Sequence, residues 1–119
     1  AEMYTTIAGY MIYELLDKTI RLTNFAVHPT YTRRGIGTRM IAKLVNKLSA
    51  QRRTNVSLSV RETNLDAQLF FRSCGFKATR VLREYFETDD GRHEDAYRMV
   101  LTARAFESYG RRRAESTEI

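Results

Sequence analysis

The chain has 119 residues, with 20 Lys and Arg against 14 Asp and Glu, a formal net charge of +6, and 43% hydrophobic residues. This apolar content and a single proline indicate one folded domain rather than a disordered or collagen-like chain. The one cysteine, Cys74, excludes an internal disulfide, and His28 and His93 do not complete any zinc-ligand spacing with it. We therefore expect no metal site.

The sequence shows neither a membrane-spanning segment nor a secretion signal. No apolar stretch approaches the ~20 residues that cross a bilayer, and the first residues do not pair a basic region with an apolar one. We expect a cytoplasmic protein that has no membrane partner.

The charges are segregated along the chain. Ten basic residues and no acidic one lie between Lys18 and Arg61, whereas six carboxylates lie between Glu84 and Asp95, with Arg92 among them. The basic segment could bind an anion and the acidic segment a cation. The alternative is that both segments are ordinary solvent-exposed surfaces.

The first half of the chain predicts two strands and a helix. Strand-forming residues over Ile7–Leu16 and Thr19–Val27 flank Asp17-Lys18, which predicts an antiparallel hairpin. A helix with a basic outer face follows, because apolar residues recur at i, i+3, i+4 and i+7 at positions Ile41, Leu44, Val45 and Leu48.

The second half predicts strands and one more helix. Apolar and polar residues alternate through Val56–Arg61, then Thr63 or Asn64 caps a helix over Leu65–Cys74 that ends at Gly75. Two further strands over Lys77–Phe86 and Ala96–Thr102 are joined by an acidic turn. The predicted order is strand, strand, helix, strand, helix, strand, strand, which is an α/β domain over residues 1–103 with a peripheral tail over residues 104–119.

A glycine-containing loop between strand and helix is the main candidate for binding chemistry. Arg33-Arg34-Gly35-Ile36-Gly37-Thr38 combines a tight turn, two arginines and the exposed amides of a helix N-terminus, which suit a diphosphate. It is neither a Walker A sequence nor the dinucleotide G-x-G-x-x-G, so kinase and dehydrogenase functions lose support. Alone, the pattern is equally compatible with an ordinary turn.

The wider context adds specificity. Asn24–Pro29, Tyr31–Gly37 and Arg61–Phe76 together resemble the GNAT superfamily of acetyl-CoA-dependent N-acetyltransferases, most closely bacterial ribosomal-protein-alanine N-acetyltransferases, over roughly Ile7–Leu101. The resemblance implies an α/β fold with a single mixed, largely antiparallel sheet flanked by helices. It also implies acetyl-CoA as the cofactor and a primary amine as acceptor, such as the N-terminus of a protein, with ribosomal proteins among the candidates.

The start of the chain departs from the family. Members carry a strand and two helices before the hairpin, whereas this sequence begins almost at the hairpin, as a natural short form or a fragment would. Because a sheet face would then be bare, we expect a homo-oligomer or a partner that covers the apolar patch.

The resemblance also implies the cofactor-binding residues. Backbone groups of Phe25, Ala26 and Val27 would line the acetyl and pantetheine arm, and Asn64 would hydrogen-bond the cofactor, in place of or together with capping its helix. The pyrophosphate would be held by the loop amides of Arg33, Arg34, Gly35, Ile36, Gly37 and Thr38.

The proton-transfer residues of the family are replaced. Ser59 stands at the position of the general-base glutamate and Phe71 at that of the general-acid tyrosine, while Thr32 takes the first position of the Q/R-x-x-G-x-G/A signature. Tyr85 matches a tyrosine of the family's acceptor region and is our catalytic candidate, the alternative being a half-buried strand aromatic. These departures keep open a CoA-binding module with little or no catalysis. A nucleic-acid-binding domain is the least favoured function.

Overall fold

A computed structural model describes residues 1–28 and 35–110. Its strands are β1 (Glu2–Thr6), β2 (Gly9–Leu15), β3 (Thr19–Val27), β4 (Asn55–Arg61), β5 (Lys77–Glu87) and β6 (His93–Thr102). Its helices are α1 (Ile36–Ala50) and α2 (Leu65–Cys74), followed by a short α3 (Ala103–Ala105) and a π-helical turn over Phe106–Gly110.

The strands form one sheet in the order β1-β2-β3-β4-β6-β5. The β3–β4 pair is parallel, and the other neighbouring strands in the described chain are antiparallel. This confirms the mixed, largely antiparallel sheet. The predicted element order was wrong in one respect, because it omitted β1. Glu2, Thr5 and Thr6 are exposed there, so this edge strand has little apolar alternation for sequence analysis to detect.

Both main helices cover the same face of the sheet. Each helix contacts the π-helical turn. The two helices also approach each other closely, since a Cβ added to Gly37 of α1 would lie only 2.9 Å from the Phe70 ring of α2. The predicted apolar stripe of α1 is confirmed, since its four members are buried in the core. Asn64 Oδ1 accepts from Ala67 N at 3.2 Å, and Gly75 has a φ of 108°, so the start and end of α2 are as predicted.

The segment after β6 is part of the core at Phe106, whose side chain is 0% exposed. The description of residues 104–119 as a peripheral tail was therefore wrong for this residue. An apolar ring is stabilised by burial wherever it falls along the chain, and here α3 and the π-helical turn carry it back between the helices. The boundary at residue 103 otherwise stays a prediction.

The opposite face of the sheet is polar at its centre. Val56, Leu58 and Val60 point to the helices, so Ser57, Ser59 and Arg61 point to this open face. Among residues 1–28 and 35–110, no helix is long and apolar enough to span a bilayer, and no group of three His, Cys, Asp or Glu side chains is placed to hold a metal ion.

Candidate active site

A slot opens where the two parallel strands separate. β3 and β4 pair only from Thr19 to Arg21 and from Asn55 to Ser57, and beyond these residues no ladder joins them. β3 contains a bulge at the point where it separates from β4. Ile12 lies opposite Asn24 and Tyr13 lies opposite Leu22, so no residue of β2 lies opposite Thr23. Bulges bend and twist a strand, so this extra residue directs the end of β3 away from β4.

The main chain of β3 presents polar groups to the slot. His28 N donates to Ala8 O at 2.6 Å, and bonded and non-bonded pairs alternate in an antiparallel ladder. The register therefore directs the N–H and C=O of Ala26 to Tyr10 on β2, and those of Phe25 and Val27 to the free edge. Of the three backbone positions predicted to bind the cofactor, Phe25 and Val27 have the orientation that this role needs.

The slot has a volume of about 370 Å³ and is lined by residues from both faces of the sheet. On the helix side, Phe25, Phe70 and Phe71 form an aromatic wall with ring centroids 5.2 to 5.7 Å apart. On the open side, Ser59 and Arg61 line it together with Thr23, Asn24 and Phe86. We refer to the part of the slot bordered by these residues of the open face as its open mouth.

The first turn of α1 presents amides that have no acceptor within the helix. Gly35 caps the helix with a φ of 74°, a left-handed conformation that glycine adopts without strain. The first helical hydrogen bond is from Arg39 N to Gly35 O at 3.1 Å, so the amides of Ile36, Gly37 and Thr38 precede it. No acidic residue lies in the first turn, which leaves the positive end of the helix dipole available to an anion. The predicted contributions of Arg33 and Arg34 lie outside the described residues.

Asn64 stands at one end of the slot and is at the same time the N-cap of α2. The cap uses only Oδ1, so the side-chain amide group has donors left for a ligand. The two roles considered from the sequence are therefore geometrically compatible.

Two arginines meet the open mouth of the slot. Arg98 Nε on β6 donates to Ser59 Oγ at 3.3 Å, an interaction that the sequence analysis did not foresee. Arg61 stacks on the Phe86 ring, with its Cζ 4.3 Å from the ring centroid, and its Nη1 is 3.2 Å from Glu94 Oε2. None of the described residues that line the slot is a carboxylate or an imidazole.

Glu94 is held by three donors, and its pKa should make the stability of this corner depend on pH. Hydrogen bonds from the Thr63 hydroxyl and backbone amide and the nearby Arg61 guanidinium lower its pKa below the ordinary 4.5. Because the folded-state pKa is depressed, the stabilisation is fully present above pH 4.5 and is lost as the pH falls through the folded value. We expect the melting temperature to fall more steeply below pH 4.5 in the wild type than in Glu94→Gln, measured by thermal unfolding at matched ionic strength. Parallel curves for the two proteins would contradict this.

Tyr85 is half-exposed and is not among the residues that line the slot. Its neighbour Phe86 lines the slot instead, and the two rings lie edge to face with centroids 4.9 Å apart. A register shift between Leu82 and Phe86, with Glu84 at a φ of 51°, determines which of these aromatic residues reaches the mouth. The catalytic role of Tyr85 stays a prediction.

Residues 1–76 match the acetyltransferase (GNAT) family. The chain belongs to this family. It is 34% identical over 94 residues to the [ribosomal protein bS18]-alanine N-acetyltransferase of Escherichia coli, an alignment that covers 79% of this chain and 63% of that protein. The chain therefore spans less than two thirds of the length of this relative.

Solved structures agree with the fold. The crystal structure of the ribosomal-protein-S18-alanine N-acetyltransferase from Escherichia coli superimposes with a TM-score of 0.68 at 33% identity, over 81% of this chain and 61% of that one. Naa20 of Chaetomium thermophilum, solved with a bisubstrate analogue, gives a TM-score of 0.74 at 26% identity, over 85% and 62% of the two chains. A GNAT acetyltransferase of Elizabethkingia anophelis with acetyl-CoA bound has the same fold at 14% identity, with a TM-score of 0.70 over 82% and 69% of the two chains.

Proposed function

We propose that the chain is an acetyl-CoA-dependent N-acetyltransferase that acts on a primary amine, with the N-terminus of a protein as the acceptor. The observation that carries the proposal is the slot between β3 and β4, whose aromatic wall at Phe25 and Phe70 lies beside Gly37 in the first turn of α1. Family membership supports acetyl transfer, and the names of the relatives support a protein N-terminus, including that of a ribosomal protein, as the acceptor.

The described residues fit acetyl-CoA as the acetyl donor. The amides at the start of α1 suit its diphosphate, since a charge near a helix N-terminus gains about 0.3–1 kcal/mol, and up to ~2 when partly buried. The free edge of β3 at Phe25 and Val27 offers both donors and acceptors to the amide groups of the pantetheine arm. The rings of Phe70 and Phe71 exclude water from the point where the thioester would lie.

Transfer by direct attack needs the amine to be held against the thioester carbonyl. The donor brings an activated acetyl group, and the β3 amides of Phe25 or Val27 lie where they can donate to the carbonyl oxygen as negative charge develops on it. Correct placement can contribute about 7–11 kcal/mol, against about 3–5 kcal/mol from general acid–base groups. Placement of the two reactants can therefore support catalysis even though Ser59 and Phe71 occupy the proton-transfer positions.

The direct test combines binding with turnover. Calorimetry should give saturable binding of CoA, and a thiol-release assay with acetyl-CoA should give turnover on peptides with a free N-terminus but not on the same peptides acetylated at that end. Binding without turnover on any amine would instead favour the CoA-binding module, and absence of CoA binding would refute the assignment.

Asn64 provides a sharper test of the cofactor site, because the substitutions separate its two roles. Asn64→Asp keeps an oxygen acceptor for the cap but removes both amide donors, so we expect unchanged stability and weaker CoA binding. Asn64→Ala removes the cap acceptor as well as the amide donors. We expect it to lower the free energy of unfolding by about 1 kcal/mol and to weaken CoA binding by the same amount as Asn64→Asp. Urea unfolding and calorimetry on the two variants measure these effects. Wild-type affinity in Asn64→Asp would limit this residue to capping.

The oligomeric state and the cellular compartment rest on the sequence predictions alone. A cytoplasmic location and self-association stay predictions, and light scattering over a range of concentrations tests the second. Met3, Ile7 and Tyr10, exposed near the β1 edge, are the apolar residues that an oligomer contact would cover.

A further inference from the structure

We propose that none of the described residues at the slot acts as a general base, and that the site accepts only amines that solvent has already deprotonated, so that it selects α-amino groups over lysine side chains by their pKa. This inference rests on the acetyltransferase function proposed above and goes beyond it, because it assigns the basis of acceptor selection. It is carried by the position of Arg98 against Ser59 and by the charges around that pair.

Ser59 lies where the amine must enter. Its hydroxyl is on the open side of the slot, and Arg98 Nε already donates to its oxygen at 3.3 Å. The remaining lone pair of Ser59 Oγ can accept an N–H from a neutral amine, which leaves the amine lone pair directed at the thioester. A serine hydroxyl that already accepts a hydrogen bond from a guanidinium does not take a proton from an ammonium group near neutral pH.

The surrounding charges oppose an ammonium ion. The strand registers place Arg21 of β3, Arg61 of β4, Arg80 of β5 and Arg98 of β6 on the open face, against Glu14 of β2 and Glu94 of β6. Glu94 is committed to Arg61 and Thr63, and Arg21 Nε is buried without a hydrogen-bond partner in the described chain. A cation next to Arg98 is disfavoured, so the site binds the neutral form of the amine.

The proton balance then needs no acid or base from the protein. The ammonium loses one proton to solvent before the amine binds. The amine nitrogen attacks the thioester carbon, the C–N bond forms and the C–S bond breaks, and the second proton passes from nitrogen to the departing sulfur, directly or through water. Amine and acetyl-CoA give amide and CoA thiol.

The ionisation of the acceptor therefore sets the rate. The α-amino group has a pKa of about 7.7–8.0 and the lysine amine one of about 10.4, so at pH 7 the neutral fraction of the first exceeds that of the second by roughly 230- to 420-fold. Selection of this size needs no contact with the rest of the substrate.

The test measures kcat/KM against pH for two peptides, one with a free N-terminus and no lysine, the other N-acetylated with one lysine. We expect a slope of one that levels near pH 8 for the first peptide and near pH 10 for the second. A common midpoint for both peptides would show a base on the enzyme and overturn this inference, while the acetyltransferase function would stand. Turnover of neither peptide, despite CoA binding, would refute the proposed function and this inference with it.

Arg98→Gln supplies an independent readout that needs no turnover. A peptide with a permanently charged trimethylammonium N-terminus should bind the CoA complex of Arg98→Gln at least roughly tenfold more tightly than that of the wild type, because the opposing cation is removed. Arg104→Gln, which removes the same charge from an exposed residue of α3 on the helix side of the sheet, is the matched control and should bind like the wild type. Equal affinity in all three proteins, each checked by circular dichroism, would contradict the role of Arg98.

Discussion

Ser59→Glu is expected to raise kcat on a free N-terminal peptide at pH 7 by roughly a hundredfold, at the lower end of what general acid–base groups contribute. The carboxylate would stand at the open mouth of the slot with Arg98 beside it, so it would stay ionised and would also neutralise that cation. Protonated amines would then be accepted and deprotonated in place. The thiol-release assay measures the gain.

Ser59→Gln is the matched control for this variant. It has the size and polarity of the glutamate side chain but can neither take a proton nor neutralise Arg98, so its kcat should stay at or below the wild-type value. Equal rates for the Glu and Gln variants would show that a base at this position is of no use to the reaction. Phe71→Tyr can be added to Ser59→Glu, because the Phe71 ring borders the slot and a hydroxyl there could protonate the sulfur.

The sequence predicted best the helices that have capping residues at their ends or a regular apolar stripe along one face. The bounds of α2 followed from a cap at Thr63 or Asn64, of which the structure uses Asn64, and from Gly75, because a cap side chain and a left-handed glycine act within one helical turn. The buried side of α1 followed from spacing alone. β1 was missed because an exposed edge strand of five residues has neither signal.

The candidate site depended more on long-range geometry. The glycine loop and the positions of Ser59 and Phe71 were evident from motif resemblance. The bulge at Thr23 depends on the pairing of β2 with β3 and has no signature in the local sequence. Arg98 meets Ser59 across 39 residues of chain, through the register of β4 and β6.

The hairpin of β5 and β6 shows the same limit within a single motif. Tyr85 and Phe86 are adjacent aromatic residues, and sequence analysis favoured the tyrosine because it matches a tyrosine of the family's acceptor region. The register shift after Leu82 brings Phe86 opposite Glu94, and Phe86 is the residue at the slot. Strand alternation cannot be counted through an irregularity whose position is unknown.

The largest loss of stability is expected from Phe106→Ala, at about 3–5 kcal/mol of unfolding free energy. Phe106 is the largest of the fully buried side chains, and the π-helical turn that it begins contacts both α1 and α2. Removing the ring would leave a cavity between α1, whose first turn carries the proposed diphosphate site, and α2, which lines the slot, so CoA affinity should fall as well. Urea unfolding monitored by circular dichroism measures the first effect and calorimetry the second.

Ser108→Ala provides the comparison, because this exposed residue lies in the same turn and should change stability by less than about 0.5 kcal/mol. Similar, small effects in the two variants would mean that the segment after Thr102 is dispensable and that the domain ends near residue 103. A loss confined to Phe106→Ala would instead place this ring in the cooperative unit that holds α1 and α2 together, and with them the two helical ends on which the proposed cofactor site depends.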